Sequence, residues 1–250
     1  MIDVRSWGRC LIGVVALLTI TACATPQTAD GVYDPFEGAN RKTHAFNKGL
    51  DRNLVGPVAR GYDTVVPDPV EDSVTNFADN LGLPGKVVNN VLQADLLGAG
   101  KNTLRFLINT TAGIGGIFDP STVMGLHEAD TDFGQTLDVW GVREGAYVEL
   151  PIFGPSTSRD AVGIAVDMML DPMSYVIGKP QSDYRSAARV GERLQQRHDL
   201  GSQIDGVLYE SADSYAQLRL LYLQNRRFEL GGDTGETYID PYLDPYEGLE

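Results

Sequence analysis

The chain has 250 residues, with 34 Asp and Glu against 20 Lys and Arg, for a net charge of -14. That length is ample for a core in one or two domains, and 42% hydrophobic residues exclude a wholly disordered chain. The charge excludes nucleic acid as a partner, because a phosphate binder needs a concentrated cationic surface. Two cysteines and three dispersed histidines (His44, His127, His198) exclude a disulfide-stapled scaffold, a four-cysteine zinc site and a histidine-rich metal centre.

Arg5 and Arg9 precede the apolar run 11–20, and Thr21-Ala22-Cys23 follows. Basic, apolar, then small is the layout of a secretory signal over residues 1–22. The run is too short to span a bilayer, which takes about 20 apolar residues. The junction Ile20-Thr21-Ala22-Cys23 resembles a bacterial lipobox, which implies cleavage before Cys23 and a diacylglycerol on its thiol. An ordinary signal with a nearby cysteine is the alternative. Acylation attaches a protein strongly, at roughly 0.8 kcal/mol per buried CH₂. Ala24 after the cysteine, by resemblance to Gram-negative lipoproteins, implies sorting to the outer membrane. No cofactor is expected beyond this covalent lipid on Cys23. Residues 23–33 read as a lipidated tether of small and polar residues.

Asp-Pro occurs at residues 34, 68, 119, 171, 240 and 244. Asp accepts backbone N–H bonds at an N-cap and Pro fits the first helical turn. In Asp34-Pro35-Phe36-Glu37 and Asp68-Pro69-Val70-Glu71 the Glu completes an apparent capping box. These signals predict helices over 35–51 and 69–80. A third is predicted over 95–111, with Leu97, Leu104, Leu107 and Ile108 at helical spacing. From Phe106 to Phe118 no residue is charged. The stretch reads either as a buried helix end and turn, or as a segment at membrane depth whose glycines allow close packing. The candidate membrane-contact residues are Phe106, Leu107, Ile108, Ile114, Ile117 and Phe118.

Tyr147–Phe153 alternates briefly and is predicted extended, too short to build a sheet alone. Ser158 is a candidate cap for a helix over 159–170. That helix is apolar almost all round, apart from Asp160 and Asp167 on one face, so it is either buried or in contact with lipid. Further helices are predicted over 182–200 and 211–230, the last stopped by Gly231 with Arg226 and Arg227 beside its final carbonyls. Arg185, Arg189, Arg193 and Arg197 recur every four residues. They read as a solvated polar face, or as a contact with anionic lipid head groups. Residues 231–250 are acidic, without a basic residue, and read as a disordered tail.

Linear catalytic motifs are missing. There is no Gly-x-Ser-x-Gly elbow and no His-Glu-x-x-His zinc helix. Gly82-Leu-Pro-Gly85-Lys86 lacks the spacing of a P-loop and reads as a turn, and Glu128, Asp130 and Asp132 do not complete a calcium loop. Triads assemble from distant residues, which leaves a His–hydroxyl pair open, but the chain does not read as an enzyme.

The body of the chain resembles the MlaA (also called VacJ) family of outer-membrane lipoproteins. The resemblance begins at Asp34-Pro-Phe-Glu-Gly-Ala-Asn-Arg41 and runs through Phe46-Asn47, Pro57-Val-Ala-Arg-Gly-Tyr62, Val66-Pro67-Asp-Pro69 and Ser73-Val-Thr-Asn-Phe77. Arg105-Phe-Leu-Ile-Asn-Thr110 with Gly113-Ile-Gly-Gly-Ile-Phe-Asp119 is a strong signature. Asp132-Phe-Gly-Gln-Thr-Leu137, Trp140-Gly141, Leu150-Pro151 and Gly154-Pro155-Ser156 complete it. The ordered set covers about residues 34–230, the expected helical domain.

The resemblance implies an all-α, compact, ring-like helical protein embedded in one membrane leaflet. It implies an amphipathic channel that removes mislocalised phospholipid from the outer leaflet. The lipid would pass to a soluble periplasmic carrier (MlaC-like) and through it to an inner-membrane ABC transporter, with a trimeric outer-membrane porin as a further partner. The family often has a Gly-x-Gly-x-Gly-Pro-Tyr segment beside the channel; here Gly141-Val-Arg-Glu-Gly145-Ala-Tyr147 puts Arg143 and Glu144 in place of small residues. Gly141 and Gly145 are the candidate channel hinges. The competing classes are a scaffold lipoprotein that stabilises a porin or envelope assembly without a lipid path, and an envelope lipase.

Overall fold

The computed structural model describes residues 32–176, 178 and 181–231. The expected signal, the Cys23 lipid attachment site, most of the expected tether and the acidic tail after Gly231 lie outside them. The chain divides into two compact units, with the boundary between Leu200 and Gly201.

Among its described residues the first unit is helical apart from one hairpin. Its elements are α1 (Glu37–Leu50), a π-helical segment (Asp51–Val55), α2 (Gly56–Val65), α3 (Asp68–Leu92), α4 (Leu96–Thr111), α5 (Pro120–Val123), α6 (Phe133–Val139), β1 (Tyr147–Leu150), β2 (Gly154–Thr157), α7 (Ser158–Leu170), α8 (Met173–Val176) and α9 (Gln181–Asp199). The two strands pair antiparallel, Tyr147 opposite Thr157 and Leu150 opposite Gly154. The stretch expected only to be extended is therefore one arm of a hairpin.

Helix α1 lies against β1 and meets its backbone with side chains. Asn40 donates from Nδ2 to the Tyr147 carbonyl at 3.1 Å and accepts from the Glu149 N–H at 3.0 Å. One face further along, Asn47 donates to the Leu150 carbonyl at 3.0 Å and accepts from the Ile152 N–H at 2.8 Å. Between them His44 Nδ1 lies 3.0 Å from Glu149 Oε1, whose other oxygen accepts from the Tyr147 hydroxyl at 3.0 Å. The Tyr147 N–H donates to the Tyr33 carbonyl at 2.8 Å, and Val32 is buried. The body thus begins by Val32, because the last residues of the expected tether have a strand to bond.

Neither expected capping box forms. Helix α1 starts at Glu37 with Phe36 at its N-cap, and Asp34 accepts from Asn40 Nδ2 at 2.9 Å instead. Asp68 is already helical, so its side chain cannot cap. The working caps are Asp95, Asp119, Asp132 and Thr157, each accepting from a backbone N–H three residues on. Thr157 rather than Ser158 caps α7. Its Oγ1 accepts from the Asp160 N–H at 3.1 Å and donates to Asp160 Oδ2 at 2.8 Å.

Helix α3 runs twelve residues beyond the expected end, straight through the Gly82–Gly85 stretch that reads as a turn. Pro84 supplies no N–H, which in an isolated helix favours a break. Here packing against α4 and α9 along its length outweighs that loss. The close approach of α6 and α7 depends on one glycine: a Cβ on Gly163 would lie 2.5 Å from the Gly134 backbone nitrogen.

Helix α9 packs on α2 and α3, and its four arginines do not share one solvated face: Arg189 and Arg193 are exposed, Arg185 and Arg197 are not. A repeat of four residues advances about 40° per step, so Arg185 and Arg197 point about 120° apart. Arg185 is buried against Asp171, and Arg197 makes a bidentate pair with Asp51 at 2.7 and 2.9 Å. Arg189 is exposed and reaches Asp171 at 3.5 Å, while Arg193 bonds Gln196.

The second unit contains α10 (Gly201–Asp205), a π-helical segment (Gly206–Glu210) and α11 (Ser214–Glu229). Asp213 caps α11, which moves its start three residues past the expected one. Tyr215 and Leu223 are buried, and the Arg219 guanidinium lies 5.4 Å from the Tyr215 ring centre. Gly231 takes φ +69° just past the helix, as its expected role as a stop requires.

Candidate functional site

Beside a small apolar core with Leu81, Leu83, Phe133 and Tyr147, the first unit buries many polar side chains and exposes many apolar ones. Between α3, α4 and α6 lies a seam of carboxamides and hydroxyls. Fully buried Asn102 donates to Asn90 Oδ1 and to the Ala129 carbonyl, both at 2.8 Å, and accepts from the Ala129 N–H at 3.0 Å. Gln93 donates to Thr131 and Thr136 hydroxyls at 2.7 and 2.8 Å. Thr136 donates to Asn89 Oδ1 at 3.0 Å, and Asn89 donates to Asp167 at 2.8 Å. Asp167, on the mostly apolar α7, thus points at the seam and also accepts from the Phe133 N–H at 3.0 Å.

The same inversion governs the end of α4. Arg105 is buried, donating to Asp119 at 2.8 Å, to Thr122 at 3.1 Å and to the Leu126 carbonyl. Asn109 donates to Asp119 Oδ1 at 2.9 Å and accepts from the Ser121 hydroxyl at 2.8 Å. Burial alone raises the Asp119 carboxyl, but these bonds with those from Thr122 outweigh it and hold it below the usual range. Polar satisfaction of this kind removes the main penalty for burying such groups.

Outward from that network, the candidate membrane-contact segment presents Leu107, Ile114 (64% exposed), Ile117 and Phe118, while Phe106 and Ile108 are half-buried. The reading of this stretch as a buried helix end fails for its apolar side chains. What is buried there is Asn109, Gly113 and Gly116. Ile114 takes φ +55° and is followed by Gly115 and Gly116 at +74° and +95°. A β-branched residue in that region costs on the order of 1 kcal/mol, so the turn spends strain to hold Ile114 outward. Leu96 (76%), Leu97, Leu104, Val123 (89%) and Met124 extend the exposed apolar surface. Ile152 and Phe153 at the hairpin tip, Trp140, and Met168, Met169 and Leu170 at the end of α7 are exposed as well. Among the described residues no helix is long and apolar enough to cross a membrane.

The candidate hinges bracket the loop from α6 to β1. Gly141 and Gly145 take φ +84° and +76°, a region open to glycine at little cost. Nothing crowds a Cβ at Gly141, whereas one at Gly145 would approach Ser158 Cβ to 3.1 Å. Arg143 is exposed, while the Glu144 carbonyl accepts from the Arg159 N–H at 3.3 Å.

A charged group lies along α3. Lys86 pairs with Glu128 and, at 2.7 Å, with Asp130. Burial alone would lower the lysine, but these carboxylates outweigh it and raise it. Asp79 reaches solvent, yet crowding by surrounding protein, then the charges of Glu192 and Glu128, pushes it up to about 6 against the pull of Lys86 and Arg105. Sequence reading singled out Lys86, Glu128 and Asp130 only to set aside a P-loop and a calcium loop, and it missed Asp79 and the seam. The available signal was that Asn102, Arg105 and Asn109 share one face of α4, opposite the leucines.

The sequence model of the MlaA lipoprotein family matches residues 32–229. The chain belongs to this family. An uncharacterised protein of Rickettsia bellii is 37% identical over 78% of this chain and 76% of its own length. The intermembrane phospholipid transport system lipoprotein MlaA of Escherichia coli K12 is 33% identical over 88% of this chain and 87% of its own. Its Haemophilus influenzae counterpart of the same name is 28% identical, over 88% and 89%. Among solved structures, a chain from work on the structural basis for maintenance of bacterial outer membrane lipid asymmetry superposes with a TM-score of 0.66 at 31% identity. It covers 79% of this chain and 98% of that one. The all-α expectation agrees with the MlaA fold, apart from the one hairpin.

Proposed function

We propose that this protein is a lipid-anchored component of the outer membrane that removes mislocalised phospholipid from the outer leaflet and passes it inward, maintaining lipid asymmetry. The observation that carries the reading is the inverted polarity of the first unit. Many Leu, Ile, Phe and Val are exposed, while much of the buried interior is made of hydrogen-bonded polar side chains. In water such an outer surface is costly, at roughly 25 cal/mol per Å²; against acyl chains it is not. Single exposed apolar residues are ordinary, but an extended surface of them marks a lipid or protein contact.

A phospholipid moving between environments needs cover for its tails and a polar lane for its head group. The apolar faces of α4 and the turn that follows would lie among acyl chains in the periplasmic leaflet, and the charged group along α3 would meet the head group. Gly141 and Gly145 would serve as hinges beside the path. No bond is made or broken, so no catalytic group is required. A soluble periplasmic carrier would accept the lipid and deliver it to an inner-membrane ABC transporter, and a trimeric porin would hold the protein in place. Family membership and the names of the relatives support this direction.

The test is the amount of surface-exposed phospholipid, read with an impermeant amine label, in cells lacking the protein and in cells restored with wild-type or Cys23→Ala protein. Deletion should raise the label and only the wild type should lower it. No rise on deletion would sink the reading and favour a scaffold that stabilises an envelope assembly. Lipid cleavage products that depend on the protein would instead point to a hydrolase.

A further inference from the structure

We propose that Arg159 is the positioning residue of the loop between α6 and β1, holding its resting conformation from the first turn of α7. The consequence for lipid passage rests on the function proposed above; the pinning itself does not. Arg159 is buried, and it meets the end of α6 at one point and the loop at two. Nη1 donates to Asp138, at the end of α6, and to the Val142 carbonyl at 3.4 Å. The Arg159 N–H donates to the Glu144 carbonyl at 3.3 Å.

The backbone of Arg159 is itself fixed. It stands between Thr157 and Asp160, whose reciprocal bonds cap α7, and its Nε donates to Asp160 Oδ1 at 3.3 Å. The two glycines give the loop its shape, but they do not hold it. Left-handed φ values are open to glycine in many loop conformations, whereas the bond from Nη1 to the Val142 carbonyl and the bond from the Arg159 N–H to the Glu144 carbonyl select one. A rotation at Gly141 or Gly145 must break those bonds or carry Arg159 along.

Breaking them is resisted, because a buried donor that loses its acceptor is left without a partner, while Asp138 and Asp160 keep the guanidinium itself in place. One detail keeps the arrangement from being a dead lock. Nη2 is buried with no hydrogen-bond partner, so the resting loop leaves a charged donor unmet. A loop position that brings a carbonyl to Nη2 recovers part of what the Val142 bond gives up. Asp138 is the accessible half of the pair, its side chain 37% exposed against 3% for Arg159.

The experiment is hydrogen–deuterium exchange on the full-length protein, comparing wild type, Arg159→Lys, Arg159→Met and Asp138→Asn. The same variants are returned to deletion cells for the impermeant amine label. Exchange at residues 142–146 should rise about tenfold in Arg159→Met and Asp138→Asn and less in Arg159→Lys, with α3 and α4 unchanged. Surface phospholipid should shift in the same order. Unchanged exchange at 142–146 in Asp138→Asn, the milder variant should Arg159→Met unfold, overturns the pin. Raised exchange with wild-type surface lipid overturns the link to passage while the pin stands. A deletion strain with no lipid phenotype defeats the proposed function and leaves the exchange result to judge the pin alone.

Discussion

The two faces of α4 present opposite solutions to one problem. Its inward face carries Asn102, Arg105 and Asn109, buried and bonded; its outward face carries Leu97, Leu104 and Leu107, exposed. In a water-soluble bundle the leucines would make the core and the carboxamides would be solvated. Here specificity comes from directional bonds inside, and the apolar face is left for whatever surrounds the protein. Stability should therefore depend on polar groups, and association with lipid on apolar ones.

That division can be broken most directly at Asn102. Replacing it by Ala leaves Asn90 Oδ1 and both backbone groups of Ala129 unmatched. Urea unfolding in mild detergent should show a loss of about 3 kcal/mol. A loss below 0.5 kcal/mol, at the level of a surface substitution, would mean that the interior is not the source of stability. Arg197→Met tests the same idea at the clamp between α9 and the π-helical segment. It leaves Asp51 largely buried without its bidentate partner, for an expected loss of about 2 kcal/mol.

Asp79 sharpens the comparison with pH. Its surroundings push the folded carboxyl up to about 6, above its ordinary value of 3.8. Its ionised form therefore disfavours the fold. The penalty is complete above about pH 6 and is relieved as pH falls toward 3.8. Because the side chain reaches solvent, screening reduces the effect to about 1 kcal/mol. Asp79→Asn should raise the melting temperature at pH 8, and the gain should vanish near pH 4; a gain that does not vary with pH would refute the assignment. The smallest change in stability is expected outside. Leu107→Ser with Ile117→Ser should alter unfolding by less than about 0.5 kcal/mol while weakening binding to phospholipid vesicles. A large loss of stability would place these side chains in a core.

Much of the helical framework was legible. The predicted spans 95–111, 159–170 and 182–200 differ by a residue at their ends from Leu96–Thr111, Ser158–Leu170 and Gln181–Asp199. Strong periodicity and Asp or Thr caps carry that much locally. The continuation of α3 through Pro84 was hidden, since it depends on neighbours that pack along it. Arg185 and Arg197 read as solvated because their carboxylate partners, Asp171 and Asp51, are distant in sequence. Of the site, the uncharged 106–118 stretch could be picked out, but which of its sides faced outward could not. That is decided by Asp119, Ser121 and Thr122 folding back onto Arg105 and Asn109.

The hairpin has a further consequence. A two-stranded ribbon ordinarily leaves a row of backbone donors and acceptors open to recruitment by another chain. On β1 those groups are occupied by the carboxamides of Asn40 and Asn47, spaced two helical turns apart, and by the Tyr33 carbonyl. A helix thus closes a β edge without becoming a strand. The closure also resists self-assembly at this edge, since a second hairpin would have to displace α1 before it could pair with β1.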